Sequence, residues 1–291
     1  MDALFSVPLT ADLQRDQLAG LLREHGQILL HGAGNLTAIE ALTHRTFARF
    51  HRPATRAELH RQDGDGYSSR VGKDTRLLGH AESYYRPCLP PPDVCIFFCE
   101  KAPAVAGGET FLIDGAELYR VLSPLVAERL DTEGIVYECL WSPERWVYEF
   151  GVSKVDDLCR LLDADPRCDY SMNAEQVLHL FFKASATRVD SQGQRIFING
   201  MLAHLPWIAH PRYANVDTYA RPSNRVHWGG GGLLDNDTIC KLIDAHDQVL
   251  HKHRWRDGDV LFIDNHRFLH GRELMDGESE RVIYSRFGYW S

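Results

Sequence analysis

The chain has 291 residues, of which 44% are hydrophobic, and this is enough for a large packed core. Its formal net charge is −8, from 32 Lys and Arg against 40 Asp and Glu. Nucleic-acid and anionic-membrane surfaces require basic patches, so we expect neither kind of partner.

The first residues, MDALFSVPLTADLQRDQLAG, mix acidic and polar side chains and lack the apolar run of a signal peptide. No stretch approaches the roughly 20 apolar residues that are needed to cross a bilayer. The seven cysteines are an odd number without a CxxC pair, which is typical of reduced thiols in a cytosolic protein. We therefore expect a cytoplasmic location.

The first part of the chain alternates between helical and extended patterns. LQRDQLAGLLREHG has helical apolar spacing and ends at Gly26, QILLHG predicts a strand, and TAIEALTHRTFARFH predicts a second helix that begins at a Thr cap. Residues 52–79 are polar and glycine-rich, which predicts a loop. VCIFFCEKAP and GETFLID then predict two strands joined by the turn AVAGG.

The second part of the chain begins and ends with clear patterns around a less regular middle. GAELYRVLSPLVAERLDTEG predicts a helix that stops at a glycine, and residues 141–212 are irregular, with short helices such as NAEQVLHLFF. GGGGLLDNDTICKLIDAHDQVLHKH predicts a capped amphipathic helix with HKH at its solvated end. GDVLFIDNHRFLHG and RVIYSRFGYW predict two final strands. We expect a single domain over 1–291, mainly β with helices, with an insert or lid at roughly 141–212.

His80 and Glu82 lie two positions apart beside a predicted strand. Side chains two apart on an extended segment point to the same face, so an imidazole and a carboxylate would converge. A third ligand on a distant strand, His270, would complete a 2-His-1-carboxylate site that holds Fe(II) and leaves positions open for a cosubstrate and dioxygen. With 15 histidines such a pair also arises by chance, and zinc hydrolases use the same residue types.

Two further residues favour an anion site beside this metal site. Thr110 begins a predicted strand after two glycines, and Arg281 opens the last predicted strand. An arginine with a hydroxyl partner near a metal is suited to the distal carboxylate of a dicarboxylic ligand.

The segments GHAESYYRP and IFFCEKAPAVAGGETFLIDG, together with DGDVLFIDN, LHGRE and Arg281, resemble the Fe(II)/2-oxoglutarate dioxygenases of the taurine dioxygenase and clavaminate synthase superfamily. The resemblance extends from about residue 25 to the end, and it is strongest to the branch with an H-x-E triad, which includes natural-product hydroxylases. It implies a double-stranded β-helix (jelly roll) with flanking helices. It also implies that His80, Glu82 and His270 bind iron, and that Thr110 and Arg281 hold the C5 carboxylate of 2-oxoglutarate.

The sequence departs from that family at two places. The run HAESYY differs from the usual neighbours of the ligands, and Arg281 and Arg286 are five residues apart rather than four, so they should face opposite sides of a regular strand. Arg286 is therefore a weaker candidate, for substrate. The remaining weak candidates for substrate contacts lie near the predicted ligands: Tyr84, Arg86, Asn199, His204 and Arg272.

Glu82 favours hydroxylation, because related halogenating enzymes replace this carboxylate with a small residue. The resemblance implies a small amino-acid-like or natural-product substrate, free or tethered to a carrier protein. Desaturation or cyclisation with the same cofactors, a metal-dependent hydrolase, and a non-catalytic jelly-roll binding protein are the alternatives. The sequence indicates no oligomeric state.

Overall fold

The structure, a computed structural model, describes residues 4–8, 14–32, 35–50, 60–63, 66–69, 76–190, 192–214 and 224–291. The α-helices in these ranges are α1 (Arg15–His25), α2 (Leu36–Thr46), α3 (Gly115–Val121), α4 (Pro124–Thr132), α5 (Pro143–Phe150), α6 (Val155–Asp163) and α7 (Asn236–Val249). Short 3₁₀ turns cover Met201–His204, Trp207–Ala209 and Pro211–Tyr213.

The strands of the described ranges are, in chain order, β1 (Ser6–Pro8), β2 (Gln27–His31), β3 (Arg49–Phe50), β4 (His60–Asp63), β5 (Gly66–Ser69), β6 (Leu77–His80), β7 (Val94–Lys101), β8 (Thr110–Asp114), β9 (Ile135–Trp141), β10 (Cys168–Met172), β11 (Leu178–Ala184), β12 (Thr187–Val189), β13 (Arg195–Phe197), β14 (Asn224–Trp228), β15 (His251–His253), β16 (Val260–Asp264), β17 (Phe268–Arg272) and β18 (Val282–Tyr289). The fold is therefore a mixture of helices and several sheets.

Three larger sheets organise these strands. The major sheet has the order β1-β2-β16-β7-β18-β3, the minor sheet has the order β15-β8-β17-β6, and the insert sheet has the order β10-β11-β9-β14. The pairing is antiparallel except between β1 and β2. From β6 to β8 and again from β15 to β18, successive strands alternate between the minor and the major sheet.

Alternating side chains bury both faces of the major sheet. On β7, Ile96 and Phe98 pack with α1 and α2 in one apolar cluster, whereas Cys95 and Cys99 lie in a second cluster with Leu112 of the minor sheet. Period-two alternation assigns successive residues to opposite faces of a strand. The second cluster is therefore the layer between the two sheets, and the candidate site lies in this layer.

The opposite face of the minor sheet packs on the largest apolar cluster. That cluster contains Phe111 and Ile113 of β8, Leu242 of α7, and buried aromatic residues of the insert sheet such as Tyr137 and Trp141. The insert thus forms a further layer against the minor sheet, and it supports the site from behind.

Local sequence explains the ends of the first helix. A capping box between Gln14 and Gln17 starts α1, and Gly26 ends it with φ of 72° and a backbone N–H bond to the oxygen of Leu22. Glycine adopts this left-handed conformation without strain. A Cβ at Gly26 would also collide with the ring of Phe268 on β17, so the position requires glycine for packing as well.

Several predicted elements agree with the structure. The structure has the two predicted helices as Arg15–His25 and Asn236–Val249, and it has the predicted strands at 27–31, 94–101, 110–114 and 282–289. The second helix is also present, although its cap is Asn35 rather than Thr37. Part of the predicted loop at 52–79 lies outside the described residues, and the described part contains β4, β5 and the start of β6.

Other predicted elements were wrong. NAEQVLHLFF is not a helix, because its second half forms β11, in which Leu178, Leu180 and Phe182 are buried in alternation. The helix predicted over residues 115–134 is two helices, since Pro124 starts α4 after a cap at Ser123. HKH is not a solvated helix end but β15, which pairs with β8. GDVLFIDNHRFLHG is two strands, one in each facing sheet. VCIFFCEKAP and GETFLID form the two predicted strands, which lie in different sheets.

No helix in the described part of the chain is long and apolar enough to cross a membrane. The expectation of a single domain stays a prediction.

Candidate metal centre

His80 is the last residue of β6 and pairs with His270 on the neighbouring strand β17. Its Nδ1 lies 2.8 Å from the main-chain oxygen of Leu78, which can only accept a hydrogen bond. Nδ1 is therefore the protonated nitrogen of the neutral ring, and Nε2 carries the lone pair. Metal-binding histidines are commonly oriented in this way by a backbone carbonyl.

The sequence predicted an extended segment at Glu82. The structure instead has Glu82 in a turn that follows β6. The side chain of the fully buried Asn265 fixes this turn: it accepts from the backbone N of Glu82 at 2.7 Å and donates to the oxygens of Glu82 at 3.2 Å and Pro92 at 2.8 Å. Ser83, the next residue, has a left-handed φ of 65°. Turn geometry, not strand alternation, therefore brings the carboxylate back towards His80.

His270 lies in the middle of β17 and faces the layer between the two sheets. The ring of Phe97 from β7 packs on it, with 5.0 Å between ring centroids. Gly271 follows it, and a Cβ there would collide with the backbone oxygen of Leu77 and the ring of Phe111. The close approach of β17 to β6 thus requires a glycine directly after the histidine.

The three side chains meet at one point. Nε2 of His80 and Nε2 of His270 lie 3.3 Å and 3.4 Å from Oε1 of Glu82, and one ligand atom from each residue falls within 4.8 Å of the others. Glu82 is 24% exposed, compared with 13% for His80 and 5% for His270. The cluster is therefore open on the side of the carboxylate and closed behind His270.

The charges of this cluster fit a cation. Burial acts to raise the pKa of Glu82, but the close contacts with the rings of His270 and His80 outweigh it and hold this pKa well below its ordinary value. Burial and the neighbouring His80 lower the pKa of His270. A carboxylate that stays ionised facing neutral imidazole lone pairs is the donor set of a divalent metal site.

A second feature lies on the same face of β17. Arg272 follows His270 by two residues, which is about 7 Å along a strand, and it is paired with Thr110 of β8. Arg281 is near both, since its Nε donates to the oxygen of Gly108 at 3.0 Å. Burial, followed by the charge of Arg272, lowers the pKa of Arg281 to about 9, so the guanidinium remains a cation at neutral pH.

Thr110 is buried, and its hydroxyl accepts a hydrogen bond from Nε1 of Trp255 at 3.0 Å. An indole can only donate, so the hydroxyl proton of Thr110 remains available for an acceptor. The buried guanidinium of Arg272, the half-buried guanidinium of Arg281 and a hydroxyl donor form a pocket suited to an anion, which we call the arginine pocket (Thr110, Arg272 and Arg281). A bound carboxylate there would relieve the repulsion between the two arginines.

Two of the weak substrate candidates lie in or directly after the turn at residues 82–85, which we call the metal turn. The hydroxyl of Tyr84 bonds to Nδ1 of His266 at 2.8 Å, and burial raises its pKa above the ordinary value. Arg86 is buried in an ion pair with Glu149 of α5, with 2.9 Å between its Nε and the carboxylate. Arg86 therefore joins the turn to the insert.

The other weak candidates differ in position. Asn199 accepts from the backbone N of Ala81 with its main-chain oxygen, while its side chain bonds to backbone groups of the insert. His204 packs against the rings of Tyr85 and Tyr137. Both residues lie behind the metal turn and support it.

Arg286 is not brought to the cluster. It faces α2, where it donates to Glu40 at 3.2 Å and to Thr43. This is the outer face of the major sheet, opposite to the layer that contains Phe97 and His270. The spacing of five residues from Arg281 predicted such a separation, and the suggested substrate role of Arg286 has no support from its position.

Sequence reasoning missed Asn265 and Trp255, and it underrated Arg272. The spacing of two residues could have identified Arg272, because it places Arg272 on the same strand face as His270. Asn265 follows a strictly apolar strand and is a buried polar residue, but its partners are 170 to 183 residues away. No local pattern could have identified them.

Two facing sheets with a His-Glu-His cluster between them define the class of mononuclear metal enzymes with one open side. The chain belongs to the TauD, TfdA family of taurine catabolism dioxygenases, whose family model matches residues 3–286. This confirms the expected class of enzyme, an iron- and 2-oxoglutarate-dependent dioxygenase.

Solved structures of similar fold cover nearly the whole chain. PvcB from Pseudomonas aeruginosa is 14% identical over 98% of this chain and 86% of its own, with a TM-score of 0.56; it has been described as an Fe, alpha-ketoglutarate dependent oxygenase from an isonitrile synthetic pathway. AAD-2 in complex with Mn(II) and N-oxalylglycine is 11% identical over 99% and 94%, also with a TM-score of 0.56. A putative alpha-ketoglutarate-dependent taurine dioxygenase from Burkholderia xenovorans is 16% identical over 99% and 90%, again at 0.56. No protein with a curated description matches this chain in sequence.

We expect the substitution Asn265→Ala to lower the affinity for a divalent metal by roughly 10- to 100-fold, because it releases the turn that carries Glu82. The buried backbone groups that lose their partner should also lower the free energy of unfolding by about 1–3 kcal/mol. Metal titration and urea unfolding measure the two effects separately.

A matched control is Asn224→Ala. Asn224 is also buried and accepts from Nε1 of Trp141 at 2.9 Å, but on the insert sheet. This variant should lose stability and keep its metal affinity. Equal metal affinities for the two variants would show that Asn265 does not position the ligand.

Proposed function

We propose that the chain is an Fe(II)- and 2-oxoglutarate-dependent hydroxylase of a small amino-acid-like or natural-product substrate, and that His80, Glu82 and His270 bind the iron. The observation that carries the proposal is the placement of this cluster two residues from the arginine pocket on one face of β17. A hydrolase of similar donor set does not require a pair of arginines beside the metal.

We infer that the two facing sheets form a jelly roll. The alternation of β6 to β8 and β15 to β18 between the sheets supports this topology. The family's fold, as seen in the structures of similar architecture, supports it as well.

Different residues of this chain would bind the metal and the cosubstrate. Iron, 2-oxoglutarate and dioxygen would supply the oxidation of an unactivated C–H bond, with succinate and carbon dioxide as the other products. His80, Glu82 and His270 hold the metal on one side and leave the opposite side open. Arg281, Arg272 and Thr110 bind the C5 carboxylate of the cosubstrate, and the intervening strand spacing suits a five-carbon diacid.

The open side of the cluster is the place for the substrate. Tyr84 lies in the metal turn, and the exposed Arg188 of β12 is near enough for its charge to lower the pKa of Tyr84 against the effect of burial. A cation at this side suits a substrate that carries a carboxylate. Phe97 and the apolar residues behind His270 exclude water from the other side.

Anaerobic addition of Fe(II) and then 2-oxoglutarate to the protein tests the proposal. We expect a visible metal-to-ligand charge-transfer band that needs both components, followed by succinate formation when oxygen is admitted. A screen of amino acids and carrier-bound aminoacyl groups for succinate release above the uncoupled level would then identify the substrate. Absence of the band with folded protein would refute the assignment.

A further inference from the structure

A second cluster of potential ligand atoms lies apart from the metal centre. Its three ligand atoms all lie within 4.8 Å of one another: Sγ of Cys88, a carboxylate oxygen of Asp165 and Sγ of Cys168. Cys88 belongs to the segment that follows the metal turn, six residues after Glu82, whereas Cys168 begins β10 of the insert sheet. The cluster therefore joins the metal turn to the insert.

The carboxylate of Asp165 is already committed to other partners. The guanidinium of Arg167 donates two hydrogen bonds to it, at 2.8 Å from Nε to Oδ1 and 2.7 Å from Nη2 to Oδ2. The backbone N of Cys88 donates to the same carboxylate at 3.2 Å. Hydrogen bonds from Arg167 lower the pKa of Asp165 to about 2. A metal ion would have to displace a guanidinium and then lie next to its positive charge, so this cluster is a poor cation site.

The two thiols differ in acidity. A hydrogen bond with Cys168 lowers the pKa of Cys88, and the charge of Arg167 acts in the same direction. The same bond to Cys88, together with burial, raises the pKa of Cys168 above its ordinary value. This asymmetry favours Cys88 as the thiol that attacks an oxidant and Cys168 as the thiol that resolves the product.

Access and backbone geometry fit a reaction at this pair. Both cysteines are only half-buried. Cys88 lies outside the helices and strands and has a left-handed φ of 65°, a rare conformation for a residue with a side chain. Cys88 thus lies in an irregular segment next to Cys168, which belongs to a regular strand.

We propose that Cys88 and Cys168 form a reversible disulfide by reaction with a hydroperoxide, and that this bond ties the segment after the metal turn to the insert sheet. The thiolate of Cys88 attacks one oxygen of hydrogen peroxide, the O–O bond breaks, and the hydroxide that leaves takes up a proton as water. Cys168 then attacks the sulfur of the Cys88 sulfenic acid, the S–O bond breaks, and the second hydroxide leaves as water with the proton of Cys168. Two thiols lose two electrons and two protons, and one peroxide becomes two waters.

Peroxide treatment of the full-length, metal-free protein in the presence of a chelator tests this assignment. We expect the wild-type chain to lose two of its seven thiols, to regain both with dithiothreitol, and to give linked peptides that contain Cys88 and Cys168. A pair that stays reduced while other cysteines are oxidised, or a link to a different cysteine, would overturn the assignment.

Single variants separate the roles of the two thiols. In Cys168→Ser the reaction should stop at a sulfenic acid on Cys88, which dimedone traps, whereas in Cys88→Ser the thiol of Cys168 should stay unreactive. Cys240→Ser is the matched control, because Cys240 is also half-buried and bonds to a backbone oxygen, that of Ala209. It should lose the same two thiols as the wild type. If a variant does not fold, the linked peptides of the wild-type chain still decide the matter.

A metal at this cluster is the competing outcome. Cobalt(II) bound by thiolates gives an intense ligand-to-metal absorption, and we expect none that depends on Cys88. An absorption of this kind in the wild type that disappears in Cys88→Ser would overturn the disulfide assignment and identify a metal site.

Discussion

The substitution Glu82→Ala should abolish succinate formation coupled to substrate oxidation, with a loss of at least about 100-fold. Changing a residue that merely orients a metal ligand already costs roughly 10- to 100-fold, and Glu82 supplies the single carboxylate of the cluster. Without it, two neutral imidazoles remain, and they balance none of the charge of Fe(II). The anaerobic charge-transfer band and the release of succinate measure the loss.

Two further variants make this test specific. Glu82→Gln keeps the size of the side chain and the backbone bonds of Asn265, so a loss in this variant reports on the carboxylate charge alone. Glu128→Ala removes an exposed glutamate from α4 and should behave as the wild type. Product formation by Glu82→Ala at the wild-type rate would remove Glu82 from the set of ligands.

The ligand residues were predictable from the sequence because their chemistry is unusual, but the geometry that joins them was not. The spacing of His80 and Glu82 suggested an extended segment, whereas Glu82 lies in a turn that Asn265 holds from the far end of the chain. The prediction brought together three residues that do lie close to one another, but it gave Glu82 the wrong local conformation. Bonds across such sequence distances leave no periodic signal.

The errors in secondary structure have a related cause. In NAEQVLHLFF the residues Leu178, Leu180 and Phe182 follow a period of two, yet a short apolar run is also compatible with a helix. Pairing with β9 and β10 decided between them. HKH became a strand for the same reason, since β8 offers it a free edge in the minor sheet. Tertiary pairing thus overrides weak local preference.

The spacing of the two last-strand arginines was more informative. Five residues put Arg281 and Arg286 on different sides, and the structure has Arg281 beside Gly108 and Arg286 against α2. The register shift after Val282 does not bring Arg286 inwards. Strand parity therefore separated a candidate for cosubstrate binding from a structural residue before any coordinates were known.

The substitution Arg281→Ala should weaken the binding of 2-oxoglutarate by roughly 30- to 1000-fold, which corresponds to about 2–4 kcal/mol. Arg281 is half-buried, and its removal would leave the C5 carboxylate with Arg272 and Thr110 as partners. Titration of the charge-transfer band with 2-oxoglutarate under anaerobic conditions measures the change, and saturating cosubstrate should restore the band because the metal ligands are intact. Arg281→Lys should recover only part of the affinity, since an ammonium lacks the planar pair of donors that matches a carboxylate.

The matched control is Arg286→Ala, five residues further along the same chain segment. It removes a buried arginine of the same size from contacts with Glu40 and Thr43 on the outer face of the major sheet. We expect a lower free energy of unfolding, by about 1–3 kcal/mol, and an unchanged affinity for 2-oxoglutarate. If Arg286→Ala weakened cosubstrate binding and Arg281→Ala did not, the arginine pocket would not be the carboxylate site. Because both variants lose one guanidinium from the same chain segment, a difference in cosubstrate affinity between them reports on the side of the sheet that the charge occupied.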